Sequence, residues 1–153
     1  MSEKSQPDQR IFEMYKLAVE MADRVSARRA GANAYFISVQ GALIAALGFL
    51  ASRTPRVEDR YLVAIAAVGV ITSAAWFLLL RSYRDLNRAK FKVINDIELN
   101  LPIHPFADEW VDLKRDPVKR WRPRYAELST VECVIPALFG LVNLVLAFSV
   151  GGR

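Results

Sequence analysis

The segment Tyr61–Leu80 reads YLVAIAAVGVITSAAWFLLL and contains no Asp, Glu, Lys, Arg or His. About 20 apolar residues in a helix cross the ~30 Å hydrocarbon core of a bilayer. Because lipid offers no partners for free backbone N–H and C=O groups, an unbroken helix is the expected form. The segment therefore predicts a transmembrane helix, TM2, at residues 61–80.

Two further blocks extend this prediction. Ala30–Ala51 also lacks charged residues, and Thr130–Gly151 carries one charge, Glu132, near its start. The first block follows 29 mostly hydrophilic residues and is too long for the core of a signal peptide, so we expect it to be retained. The sequence predicts an all-α integral membrane protein with TM1 at 30–51, TM2 at 61–80 and TM3 at 130–151.

Charge placement predicts the topology. Six Lys or Arg residues lie in 1–29 and eleven in 81–129, against three in the loop 52–60 and one, Arg153, at the end. Cytoplasmic loops carry the excess of Lys and Arg. Residues 1–29 and 81–129 are therefore predicted to be cytoplasmic, and the loop 52–60 and the C-terminus periplasmic or extracellular.

Both cytoplasmic segments have helical periodicity. Residues 1–29 carry an apolar stripe that predicts an amphipathic helix running on into TM1 (Ile11, Tyr15, Ala18, Ala22, Val25). No Pro or Gly occurs from residue 73 to residue 100, so TM2 is predicted to continue to Asn100 as a stalk. The stalk carries its own apolar residues (Tyr83, Leu86, Val93, Ile94, Ile97, Leu101). Such stripes predict that long helices extend from the membrane into a packed cytoplasmic layer.

The stalk is followed by LPIHPF, residues 101–106, which contains the chain's only histidine. Carboxylates at Glu98, Asp108 and Glu109 lie nearby, so a catalytic site is one interpretation. Proline ends helices and restricts the residue before it, so a structural elbow is the favoured one. Its predicted members are Pro102, His104, Pro105 and the anchor Trp110.

Four polar residues in or near the spans are candidates for pore lining or for bonding between helices: Asn33, Gln40, Asn143 and Glu132. Amides inside hydrocarbon need a partner, and both uses supply one. Glu132 ends the capping-box pattern Ser129-x-x-Glu132, so it is predicted to cap TM3 or to pair with Arg28, Arg29 or Arg81. One chain with a single Cys and a single His gives no basis for a disulfide, a metal site or a cofactor.

TM1 also carries small residues four apart, namely Ala34, Ser38, Ala42 and Ala46, widened by Gly41, Ala45 and Gly48. Small residues let helices approach closely in lipid. This small-residue face predicts a contact either with the chain's own spans or with another subunit.

The run KRDPVKRWRPR, residues 114–124, is strongly basic. Arg with aromatic residues is typical of RNA binding, but this run lies beside a span, where each basic residue near an anionic leaflet contributes about 1 kcal/mol. We therefore expect anionic lipid headgroups and no nucleic acid. The candidate headgroup ligands are Arg28, Arg29, Lys119, Arg120, Arg122 and Arg124.

Three strings together resemble the RipA family of small octameric bacterial membrane proteins: RRAGANAYF (28–36), LNRAKFKVINDIELNLPIHPFADEW (86–110) and YAELSTVECVIPALF (125–139). The entry to TM1 is also similar to that of SLATT domains, which are membrane effectors linked to antiphage defence. The first resemblance implies a homo-oligomer, an octamer, in the bacterial inner membrane.

Two functions follow as hypotheses. The first is a non-enzymatic pore or membrane-perturbing effector in stress or defence, with Gln40 and Asn143 as lining or interface groups. The alternative is a membrane scaffold that organises lipids or a partner protein through its cytoplasmic layer.

Overall fold

The computed structural model describes residues 5–54, 57–115 and 128–152. Within these ranges the chain forms four α-helices and no strand: α1 (Ser5–Ala51), α2 (Asp59–Glu98), α3 (Pro105–Arg115) and α4 (Leu128–Gly151). The all-α prediction is confirmed.

The first two helices are long and unbroken. α1 has 47 residues and α2 has 40, so they measure about 70 Å and 60 Å at 1.5 Å per residue. Three segments, Gln9–Ala51, Asp59–Glu98 and Glu132–Gly151, are long and apolar enough to cross a membrane. The protein is a multi-pass membrane protein with three spans.

The chain divides into two compact units, and α1 and α2 each contribute to both. We call Met1–Arg28 with Tyr83–Glu127 the polar unit, and Arg29–Ser82 with Leu128–Arg153 the span unit. The apolar blocks of all three spans belong to the span unit, whose core includes Leu47, Leu62 and Ala66 with residues of α4 around them.

In the polar unit, α1 packs through its predicted stripe. Ala22 and Val25 are buried, and the other members of that stripe are partly buried. The stalk stripe is only partly correct, because Ile94 is fully buried whereas Leu86 and Val93 are about half exposed. α2 packs through one face in this unit, and Leu86 and Val93 lie about a quarter-turn away from Ile94 on the helix.

Candidate functional site

The two in-span amides meet at the centre of the span unit. Gln40 of α1 and Asn143 of α4 are both fully buried. The Asn143 Nδ2 group donates a hydrogen bond of 2.9 Å to Gln40 Oε1. Gln40 Nε2 donates to the Gly69 carbonyl at 2.9 Å and to Ser73 Oγ at 2.7 Å, both on α2. One pair of side chains thus joins all three spans, and we call this set the amide network.

A glycine makes room for the network. A Cβ on Gly69 would overlap the amide of Asn143, with Nδ2 at 2.8 Å and the other two amide atoms closer still. Nδ2 also donates to the Phe139 carbonyl at 2.8 Å, which orients the amide along its own helix. Asn143 Oδ1 is buried without a hydrogen-bond partner among the described residues. Gly69 is therefore required because the Asn143 side chain occupies the space of a Cβ.

Asn33 also bonds between helices of the span unit. Its Oδ1 accepts a hydrogen bond of 2.8 Å from Trp76 Nε1, and Trp76 is fully buried. The Trp76 indole stacks on Phe36 with ring centroids 5.6 Å apart, and it contacts Phe139 of α4 at 6.0 Å. A buried indole N–H needs an acceptor, and Asn33 supplies one.

Glu132 pairs with Arg29 inside the span unit. Arg29 Nε lies 3.3 Å from Glu132 Oε2, and the two side chains are 17% and 22% exposed. The contact is an ion pair without hydrogen-bond alignment, since Glu132 Oε2 has no hydrogen-bond partner among described atoms. The capping-box prediction is wrong in its register, because α4 begins at Leu128 and already includes Ser129. Arg28, in contrast, is exposed.

The polar unit contains a buried carboxylate that the predicted elbow does not include. Glu98, the last residue of α2, is fully buried. Its Oε1 accepts hydrogen bonds from Tyr15 Oη at 2.9 Å and from the Phe106 N–H at 3.1 Å. Its Oε2 accepts one from the Ala107 N–H at 3.2 Å. A negative charge beside free N–H groups at the start of α3 is a favourable placement.

These surroundings change the pKa of Tyr15. Burial raises the pKa of Tyr15 to about 12, and the hydrogen bond to Glu98 and the charge of Glu98 add to the effect. The Glu98 contacts connect α1, the end of α2 and the start of α3, so we call Tyr15, Glu98 and the two N–H groups the Glu98 latch.

The elbow residues lie where α2 gives way to α3. α2 ends at Glu98, Pro102 lies in the following bend, and Pro105 is the first residue of α3, a position that proline favours. The His104 carbonyl accepts the Asp108 N–H at 2.9 Å, while His104 Nδ1 is buried without a partner among described residues. None of the hydrogen bonds found among these residues joins the imidazole to a carboxylate.

Some predicted residues lie outside the described part of the chain. Lys119, Arg120, Arg122 and Arg124 fall in 116–127, and Trp110 belongs to α3 but its side chain is not among those described. Their assigned roles remain predictions.

The sequence did not identify Gly69, Ser73 or Trp76, and it named Glu98 only in the catalytic interpretation that was not favoured. The first three lie within an apolar span, where nothing in the periodicity distinguishes a required residue from a neutral one. For Glu98 the sequence offered one signal, its position three residues before the helix-ending Leu101-Pro102, but its partner Tyr15 is 83 positions away.

Comparisons with known proteins identify a family. The model of a family described as the octameric membrane protein family (8xMP) matches residues 12–151. No curated protein and no solved structure matches the chain.

Proposed function

The chain belongs to the octameric membrane protein family (8xMP), and from this premise we propose that it acts without catalysis, as a homo-oligomeric assembly that organises the bacterial inner membrane. The amide network carries the proposal. Gln40 and Asn143 bind each other, and Gln40 also bonds α2, all within one chain. A bundle whose in-span amides bind one another presents mostly apolar surface to lipid and to neighbouring copies, as a subunit of a membrane assembly must.

The small-residue face of α1 supports assembly through the spans. Ala34, Ser38 and Ala42 are exposed in the single chain. A Cβ added at Gly41 or Gly48 would meet nothing within 4 Å. The chain's own spans therefore leave this face uncovered, and of the two roles predicted for it, contact with another subunit is the better supported.

The test places bulk on that face. Gly41→Leu should lower the mass of the purified particle in mild detergent, measured by native mass spectrometry, because close approach of two helices is blocked. Ala67→Leu adds a similar side chain at an exposed position of α2 and should leave the mass unchanged. An unaltered mass for Gly41→Leu would remove this face from the assembly.

The proposed orientation places the N-terminus in the cytoplasm and the C-terminus outside, from the distribution of Lys and Arg. In a Cys133→Ser background, a cysteine introduced as Ser5→Cys should resist a membrane-impermeant maleimide in intact cells. One introduced as Gly152→Cys should react. The opposite pattern would reverse the topology.

A scaffold would also hold anionic lipid through the basic segment. Replacing Arg120, Arg122 and Arg124 by Gln should weaken co-sedimentation with liposomes that contain phosphatidylglycerol, and the loss should shrink at high salt. Equal binding by wild type and variant would exclude this segment as the lipid contact.

A pore or membrane-perturbing effector in stress or defence is the second candidate, and one observation favours it. Asn143 Oδ1 is a buried acceptor without a described partner inside a span, and a water molecule or a cation would be a suitable partner. In liposomes, Asn143→Leu should then reduce ion leakage through the oligomer. Ser149→Ala is the control, because Ser149 is exposed and bonds the Val145 carbonyl of its own helix. Tight liposomes with wild-type protein would end the pore hypothesis.

An enzymatic role is the least supported. If the protein acts without catalysis, His104→Ala should retain the phenotype of the wild-type gene in a complementation assay. Loss of that phenotype in a variant that still folds and assembles would reopen the catalytic interpretation.

A further inference from the structure

The polar unit leaves an apolar stripe uncovered on α1. Met14, Leu17 and Met21 are between 42% and 61% exposed. Spacings of three and four place them on one face of the helix. This face lies about a quarter-turn from the packed stripe that contains Ala22 and Val25. Apolar residues exposed at helical spacing in a polar unit indicate a surface that a partner covers.

α2 adds to the same surface. α1 and α2 pair in antiparallel order, since Tyr15 contacts Glu98 while Gln40 contacts Ser73. On α2, Leu86 and Val93 lie about a quarter-turn from Ile94. When each helix is viewed from its own N-terminus, this rotation has the same sense as the rotation from the packed face of α1 to its exposed stripe. For two antiparallel helices that face each other, equal rotations in the same sense lead to the same side of the pair. We call this surface the docking face (Met14, Leu17, Met21, Leu86, Val93).

The opposite side of α1 carries a cleft. It has a volume of about 360 Å³, and its lining includes Tyr15, Val19 and Phe106, the acidic residues Glu20 and Asp23, and the basic residue Lys16. The positions of Val19 and Asp23 lie roughly half a turn from the α1 part of the docking face. α3 borders this cleft through Phe106, so the elbow forms one wall.

The two sides of α1 differ in charge. Arg10 and Arg28 continue the α1 face beyond Met14 and beyond Met21, at positions that share its helical phase. Both arginines are exposed. The apolar stripe therefore ends in basic residues, and the cleft on the other side of the same helix is lined by two acidic residues and one basic residue, Glu20, Asp23 and Lys16. Glu20 already pairs with Arg24 at 2.6 Å, so Asp23 is the acidic group left to meet an arginine of the stripe.

We propose that the docking face of one copy inserts into the cleft of the next copy, so that the polar units join head to tail. This inference rests on the proposed homo-oligomer and identifies its contact in the polar unit. A heterologous contact uses two different surfaces of each subunit and generates a ring when its rotation closes. The octameric family is the reason to choose a second copy of this chain as the occupant.

The experiment is cross-linking of the full-length protein in native membrane vesicles, in a Cys133→Ser background, with a short bismaleimide. The chain carrying both Leu17→Cys and Val19→Cys should give a ladder of covalent oligomers on a denaturing gel, because each contact joins residue 17 of one copy to residue 19 of the next. Each single variant should run as a monomer on the denaturing gel. The pair Phe12→Cys with Val19→Cys is the matched control, since both positions lie on the cleft side of α1, and it should give no ladder.

Several outcomes would overturn the inference. A covalent dimer from Leu17→Cys alone would mean a two-fold contact between identical faces. Absence of a ladder from an oligomer of unchanged mass would mean that lipid or another protein covers the docking face. A monomeric mass for the uncross-linked wild-type protein would instead overturn the proposed function, so the two failures are distinguishable.

Discussion

Gly69 gives the sharpest test of the amide network. In Gly69→Ala the new methyl group overlaps the Asn143 amide. That amide is held by hydrogen bonds to Gln40 Oε1 and to the Phe139 carbonyl. Overpacking costs about 1–3 kcal/mol, and loss of the interhelical hydrogen bond adds about 0.6 kcal/mol. The better helix propensity of Ala offsets about 1 kcal/mol. We expect a net loss of roughly 2 kcal/mol in the free energy of unfolding.

The assay is a double-mutant cycle on the purified protein in detergent, with unfolding followed by circular dichroism. In an Asn143→Ala background the amide is gone, so Gly69→Ala should cost nothing or stabilise the helix. The coupling between the two positions should therefore be about 2 kcal/mol, well above the error of additivity for independent sites.

A glycine on α4 serves as the control. A Cβ on Gly140 would lie 3.4 Å from Ser73 Cβ, an ordinary van der Waals contact, so Gly140→Ala should be neutral or slightly stabilising. The reasoning would be refuted if Gly69→Ala were as stable as wild type, or if its cost were the same with and without the Asn143 amide.

Three further predictions concern the polar unit and the entry to the spans. Because the pKa of Tyr15 is raised, its neutral phenol stabilises the fold. This stabilisation is complete below pH 10 and decreases as pH rises from about 10 through 12. The difference absorbance of tyrosinate between wild type and Tyr15→Phe should titrate in that upper range. Glu98→Ala leaves three donors without their acceptor and should destabilise the α3 attachment by about 2 kcal/mol or more, detectable as faster amide exchange at the start of α3. Exchange unchanged from wild type would contradict the latch. Arg29→Gln should lower the melting temperature more than Arg24→Gln, because the Glu132 pair is mostly buried whereas the Arg24 pair is exposed and worth at most ~1 kcal/mol.

The elements of this protein follow from local patterns. The apolar blocks predicted three spans, and the absence of Pro and Gly after Ser73 predicted that the helix of TM2 continues past Leu80, as it does to Glu98. These predictions succeed because hydrocarbon thickness and the need to satisfy backbone groups act on any single segment, whatever surrounds it.

Only some of the candidate site residues could be identified from the sequence in the same way. In-span amides are rare and costly, so Gln40, Asn143 and Asn33 could be selected from the sequence alone. Leu86 and Val93 were placed on the packed stripe, yet they are exposed, because apolar spacing defines faces of a helix without showing which face meets the neighbouring helix.

Only the tertiary structure decided which groups meet. The partners Gln40 and Asn143 are 103 positions apart, and Tyr15 and Glu98 are 83 apart. The need for glycine at position 69 arises from a side chain on another helix, and Glu98 is a buried acceptor because α1 and α3 bring donors to it. Composition and periodicity determined that the chain crosses the membrane three times as helices. The packing of those helices determined which polar groups are satisfied, since hydrogen bonding and exclusion of volume depend on atoms that are neighbours in space and distant along the chain.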